Sequence, residues 1–113
     1  MAQVQRTAHN PPSAPQPIGA YSLAMEVSAN KWLFVAGQVG LDASGNLVGS
    51  GDAAAQTRQT FENIGQILAG VGASFDNVVE LTTYVVGRES IQAFIQARTQ
   101  IYPDIFPNGD YPP

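Results

Sequence analysis

The spacing of hydrophobic positions changes along the chain, and each change marks an element. Leu23, Met25 and Val27 alternate with Ser22, Ala24 and Glu26, the two-residue period of a half-buried strand. Ser28-Ala29-Asn30-Lys31 then carries turn chemistry and leads into residues 32–38, where Leu33, Phe34, Val35 and Ala36 are continuously apolar. This run predicts the second strand of a hairpin, central in its sheet and covered on both faces. Asp42-Ala43-Ser44-Gly45-Asn46 reads as a turn, and Gly49-Ser50-Gly51 as the approach to a helix.

From there the period lengthens. Asp52 or Ser50 can cap a helix starting near Ala53, and Thr57, Phe61, Ile64, Leu68 and Val71 form its apolar stripe. Gly70 and Gly72 offer left-handed stops. Residues 78–86, Val-Val-Glu-Leu-Thr-Thr-Tyr-Val-Val, are rich in the branched and aromatic types that fit a pleated surface, and a third strand is expected. Ser90 can cap a second helix whose apolar positions are Ile91, Phe94, Ile95, Ile101 and Tyr102, with Pro103 ending or kinking it. Residues 107–110 read as a loop.

At the start, Asn10-Pro11-Pro12-Ser13-Ala14-Pro15-Gln16-Pro17 cannot supply a ladder of donors, so residues 1–17 are expected to form an extended arm. The order strand, strand, helix, strand, helix, without internal repeat or linker, predicts a single α+β domain over residues 1–113. Its two helices should pack on one face of a sheet.

Composition narrows the chemistry. The 113 residues hold 5 Lys and Arg against 9 Asp and Glu, a net charge of −4, and Lys31 is the sole lysine. A groove that tracks nucleic-acid phosphates needs clustered cations, so a nucleic-acid partner is not expected. No cysteine is present, which removes thiolate catalysis and thiolate-ligated metal. His9 is the single histidine and lies in the arm, so neither a Ser-His-Asp arrangement nor a two-histidine metal site can be assembled. No run of apolar residues is long enough to span a bilayer, and a cytoplasmic protein without cofactor or metal is expected.

The remaining charged residues have ordinary readings. Arg58 and Glu62 are four apart on one helix and suit a solvated pair. Arg98 interrupts the apolar face of the second helix between Ile95 and Tyr102, where it can pack at an interface or meet a ligand carboxylate. Glu80 can pair with either arginine or simply face solvent.

Five anchors in order give a resemblance: Pro17-Ile18-Gly19-Ala20-Tyr21, Ala36-Gly37-Gln38 at a strand end, the helix with Gln56-Thr57-Arg58-Gln59-Thr60-Phe61-Glu62-Asn63-Ile64, the strand at 78–86, and Gly109-Asp110-Tyr111-Pro112-Pro113. Together they resemble the RidA (YjgF) family, from about Arg6 to Pro113. The resemblance implies a chorismate-mutase-like, trimer-forming α+β fold with small-molecule clefts between subunits. It also implies hydrolysis of 2-imino and 2-enamine acids, such as 2-iminobutanoate and 2-iminopropanoate, to 2-keto acids and ammonia.

By the same resemblance Tyr21 borders the cleft, Gly19 shapes its loop, and Gly37 and Gln38 form a wall. Packing readings stand beside these: Tyr21 as a strand-start aromatic, and Gly37 as a bulge approached by another backbone. Ala36 stands where the family often has serine, and Arg98-Thr99 near where it often has a ligand-facing asparagine. The family's carboxylate-binding arginine and water-orienting glutamate map after Pro113. The 113 residues are therefore expected to show little deaminase activity, and either to cover the strand edges left open by rearranged or intersubunit pairing or to be much less stable than a longer relative. The resemblance leaves room for a noncatalytic member that binds a small acid or a protein, or for an inactive truncated one.

Overall fold

The computed structural model describes residues 4–113. Strands β1 (Val4–His9) and β2 (Ala24–Ala29) form an antiparallel pair, with Val4 opposite Ala29 and His9 opposite Ala24. Helices α1 (Ala53–Gly70) and α2 (Arg88–Ile105) pack on each other, and a 3-10 turn at Phe75–Asn77 lies between them in sequence. The architecture is α+β, as the hydrophobic pattern predicts.

β2 follows its alternation: Met25, Val27 and Ala29 are half-buried while Ala24, Glu26 and Ser28 are exposed. The extended arm is corrected in two ways, leaving aside residues 1–3, which lie outside the described residues. Residues 4–9 precede the first proline and keep their N–H donors, so they pair with β2. The proline-rich stretch turns back on itself instead of extending: Ala14 N–H donates to the Pro11 carbonyl at 3.1 Å, and the Gln16 amide donates to the Pro11 and Ala14 carbonyls at 2.9 and 3.0 Å. His9 sits at the end of β1, its Nε2 3.2 Å from Glu26 Oε1 across the pair, and both side chains are exposed.

Arg6 ties this sheet to the helical layer. Its Nε donates to the Asp76 carbonyl at 2.8 Å and its Nη1 to the Asp110 carbonyl at 3.0 Å, with the guanidinium 5.7 Å from the Phe106 ring centroid. Because a charged donor contributes more than a neutral one, Arg6→Ala is expected to lower stability by about 1–3 kcal/mol. Urea denaturation checks this against Arg88→Ala, an exposed site where a change within about 0.5 kcal/mol is expected.

Asp52 caps α1, its Oδ1 accepting from Ala55 N–H at 3.0 Å. Gly49 and Gly51 take the left-handed conformation in the turn before it, with φ of 73° and 71°. The far end stops as expected at Gly72, φ 74°, while Gly70 remains helical. α2 begins earlier than its sequence suggests. Gly87, φ 86°, occupies the cap position and Ser90 does not, because a glycine there lets the chain turn into the helix and puts Glu89 in the first turn, at the positive end of the dipole. Pro103 lies in the last turn and the helix runs two residues past it, to Ile105.

The core sits where the helices meet the C-terminal loop. Phe61 and Tyr102 pack edge to face at 5.8 Å between centroids, Tyr102 and Phe106 at 5.0 Å, and Phe75 and Phe106 at 5.9 Å. Tyr111, carried back by the turn at Gly109, stacks 5.4 Å from Tyr102. Aromatic pairs of this kind add to plain area burial, so one cluster holds three segments.

The two remaining expected strands are not in the sheet. Residues 32–38 and 78–86 run without a strand ladder among the described residues, on the walls of one apolar groove of about 930 Å³. Paired strands lie roughly 4.8 Å apart and exchange main-chain hydrogen bonds, and no such ladder joins these two segments among the described residues. The double-sided cover expected for residues 33–36 is absent as well: Phe34 is 89% exposed and Trp32 56%. An apolar, branched composition favours extended backbone, but pairing is a tertiary property that composition does not contain.

Candidate functional site

The loop after the prolines is a tight reversal. Tyr21 N–H donates to the Gly19 carbonyl at 2.9 Å, and the Tyr21 hydroxyl accepts from Ile18 N–H at 3.5 Å. A side chain at Gly19 would meet Arg98 Nη2 at 3.3 Å and the Tyr21 ring at 3.9 Å, so the loop lies directly against α2. Arg98 lies within cation–π reach of two rings, its guanidinium carbon 5.2 Å from the Phe94 centroid and 5.8 Å from that of Tyr102. Burial pushes the Tyr102 hydroxyl above its ordinary pKa, and the Arg98 charge pulls it partly back.

Gly37 and Gln38 lie elsewhere, on the groove wall, which Gly19 and Tyr21 do not line. The Gln38 amide donates to the Ala36 carbonyl at 3.2 Å. Nothing lies within 4 Å of where a Gly37 side chain would begin, so the close backbone approach considered for it is not there. The loop that follows is held by α1: Asn63 Nδ2 donates to the Val39 and Leu41 carbonyls at 3.1 and 2.8 Å, and Gln56 Nε2 to the Gly49 carbonyl at 2.8 Å. Gly40 packs so tightly on α1 that an added Cβ would come 2.9 Å from Gln56 Cα. Thus the sequence-predicted residues form two places, Gly19 with Tyr21 and Gly37 with Gln38.

The endoribonuclease L-PSP family model matches residues 11–112, nearly the whole chain. The chain belongs to the RidA (YjgF) family. Human 2-iminobutanoate/2-iminopropanoate deaminase is 30% identical over 107 residues, 95% of this chain and 77% of that protein. A RutC family protein of Pyrococcus horikoshii is 42% identical over 73 residues, 65% of this chain, and that alignment spans 56% of the relative's own length. A similar protein from Pyrococcus abyssi is covered over 55%, so the chain spans little more than half of these two relatives. Among solved structures, the conserved Rid family protein YyfB of Yersinia pestis, described as of unknown function, superposes with a TM-score of 0.78 at 34% identity. That match covers 95% of this chain and 79% of the other.

In this RidA-family chain several polar residues take places that pattern reading did not assign. Asn63 had no role assigned from the pattern; its only signal in the sequence is a short amide in mid-helix, a residue type that readily bonds nearby backbone. Arg58 does not pair with Glu62: among the described residues it donates from Nη2 to Gln100 Oε1 at 3.1 Å, joining α1 to α2. Glu80 forms no ion pair among the described residues and is exposed on the groove wall. No described group of acidic or histidine side chains could hold a metal, and no described helix is long and apolar enough to cross a membrane.

Proposed function

We propose that the protein acts on small 2-imino and 2-enamine acids released in amino-acid metabolism and hydrolyses them to 2-keto acids and ammonia. Family membership carries the reading, sharpened by the identity to the human 2-iminobutanoate/2-iminopropanoate deaminase over nearly all of this chain. In this proposal the protein is a cytoplasmic homotrimer with its ligand in clefts between subunits, using no cofactor. Gly19, Tyr21, Gly37 and Gln38 supply cleft walls, and neighbouring subunits bring the two separate places together.

The reaction asks little of side chains. Water adds to the electrophilic imine carbon, the nitrogen takes up protons, and the carbon–nitrogen bond breaks to leave the 2-keto acid and ammonia. Holding the carboxylate, polarising the nitrogen and placing the water are the protein's tasks, and proximity does much of the work. The test follows freshly generated 2-iminobutanoate: 2-oxobutanoate and ammonia are expected in equal amounts, faster than in buffer. Binding of 2-oxobutanoate without any acceleration would instead establish a noncatalytic small-acid binder.

A further inference from the structure

Asn108-Gly109 is the one Asn-Gly step in the chain, and it lies in the exposed turn between Phe106 and Tyr111. An asparagine side chain is an amide, and the main-chain nitrogen of the next residue can attack it to close a five-membered ring. Glycine in that next position obstructs the attack least, because it has no Cβ. The surrounding space is open as well: nothing lies within 4 Å of where a Gly109 side chain would begin. Asn108 is exposed, and its side-chain amide makes no hydrogen bond among the described residues.

The other asparagines are held or hindered. Asn10 Oδ1 accepts from Leu23 N–H at 2.9 Å, and the next residue, Pro11, has no N–H to lose. Asn77 Oδ1 accepts from Ser74 N–H at 3.0 Å, while Asn63 is engaged on both sides of its amide by Gln59 and the Val39 and Leu41 carbonyls. Asn30 and Asn46 precede Lys31 and Leu47, whose side chains hinder ring closure. One restraint acts at Gly109: its N–H donates to the Phe106 carbonyl at 3.0 Å. That bond belongs to an exposed turn past the end of α2, where local opening costs least.

We propose that Asn108 is a site of spontaneous deamidation, and that its iso-aspartyl product releases the C-terminal loop from the core. The Gly109 nitrogen bonds to Asn108 Cγ, the Cγ–Nδ2 bond breaks, and ammonia leaves with the proton that the Gly109 nitrogen gives up. Water is the only co-reactant. Where it reopens the imide at Cγ, the product is aspartate on an unchanged main chain. Where it reopens at the main-chain carbonyl, the chain runs through Cβ and Cγ and gains one atom.

The longer path falls at a sensitive place. Gly109 turns with φ 72° and its carbonyl accepts from Tyr111 N–H at 2.9 Å, while the Asp110 carbonyl accepts from Arg6 Nη1 at 3.0 Å. These bonds set Tyr111 5.4 Å from Tyr102 and fasten the loop to β1. An added main-chain atom displaces both acceptors, so the iso-aspartyl form loses contacts that the aspartyl form keeps.

The test incubates the full chain in warm, mildly alkaline buffer beside a synthetic peptide of residues 99–113. Trypsin then releases the same fragment from the protein, with Asn108 its sole asparagine. Fragment mass is expected to rise by about 1 Da, placed on residue 108 by fragmentation, at a rate no more than roughly tenfold below that of the free peptide, the protection one ordinary hydrogen bond gives. Asn108→Gln should keep its mass. Chromatography separates the two products, and transfer of a methyl group by an isoaspartyl methyltransferase marks the iso-aspartyl one. That form should unfold at lower urea than the wild type, whereas Asn108→Asp, a change at an exposed position, should match the wild type. Protection of Asn108 well beyond that of one hydrogen bond, or modification falling first on Asn30 or Asn46, overturns the site. An iso-aspartyl form as stable as Asn108→Asp overturns the release of the loop.

Discussion

Replacing Tyr102 by alanine is expected to destabilise the fold by about 3–5 kcal/mol, the range for removing a large aromatic from a packed core. The ring is only 5% exposed and makes edge or stacked contact with Phe61, Phe106 and Tyr111, so its loss loosens α1, the end of α2 and the C-terminal loop together. Domains of this kind have a net stability of about 5–15 kcal/mol, so the variant should unfold at markedly lower urea, seen by circular dichroism. Tyr102→Phe separates ring from hydroxyl. The raised pKa means that the folded state prefers the protonated phenol: this contribution is intact below the unfolded value of 10.0 and is lost as pH climbs through the higher folded value. The phenylalanine variant should keep most of the stability and lose that alkaline slope. An alanine variant as stable as the wild type would mean that the aromatic cluster does not hold the helices.

The second large effect concerns association. Phe34, Tyr84 and Val86 are 89, 91 and 91% exposed, and they lie on two segments that join no strand ladder among the described residues. Apolar patches of this kind mark interfaces, and unpaired strand edges recruit further chain. We therefore expect the purified chain to sediment as a trimer, closed by the cyclic symmetry that lets each copy cover the next. An aromatic anchor at an interface commonly contributes about 2 kcal/mol or more, so Phe34→Lys should weaken association roughly thirtyfold while leaving far-ultraviolet circular dichroism unchanged. A well-dispersed wild-type monomer would contradict the expectation.

What the sequence disclosed was mostly local. The Asp52 cap, the Phe61 and Leu68 stripe and the stop at Gly72 depend on residues within a turn or two of one another, and all are as expected. The Asp42 turn belongs with them, its Oδ1 accepting from Ser44 and Asn46 N–H at 2.9 Å each. What stayed hidden depends on partners far along the chain. β1 has no strong alternation and becomes a strand through β2, across the whole proline-rich turn. Residues 32–38 and 78–86 have the composition of strands, yet nothing in composition says what lies alongside them. The site shows the same division. Gly19 and Tyr21 are proposed for it from their motif, whereas the approach of Arg98 to Gly19 appears only when α2 brings the two together from nearly eighty residues apart. Its place within an apolar stripe was the available signal, and it fitted packing equally well.

In the proposed function a small imino acid is hydrolysed at a cleft bordered by Tyr21. Its most direct test is the initial rate of 2-iminobutanoate loss with equal concentrations of wild type and Tyr21→Ala, each corrected for the buffer reaction. Acceleration by the wild type on the order of 10²-fold, the low end for positioned proton transfer, is expected, with its near disappearance in Tyr21→Ala. Wild-type rates equal to buffer, or acceleration that survives loss of the Tyr21 ring undiminished, would contradict it.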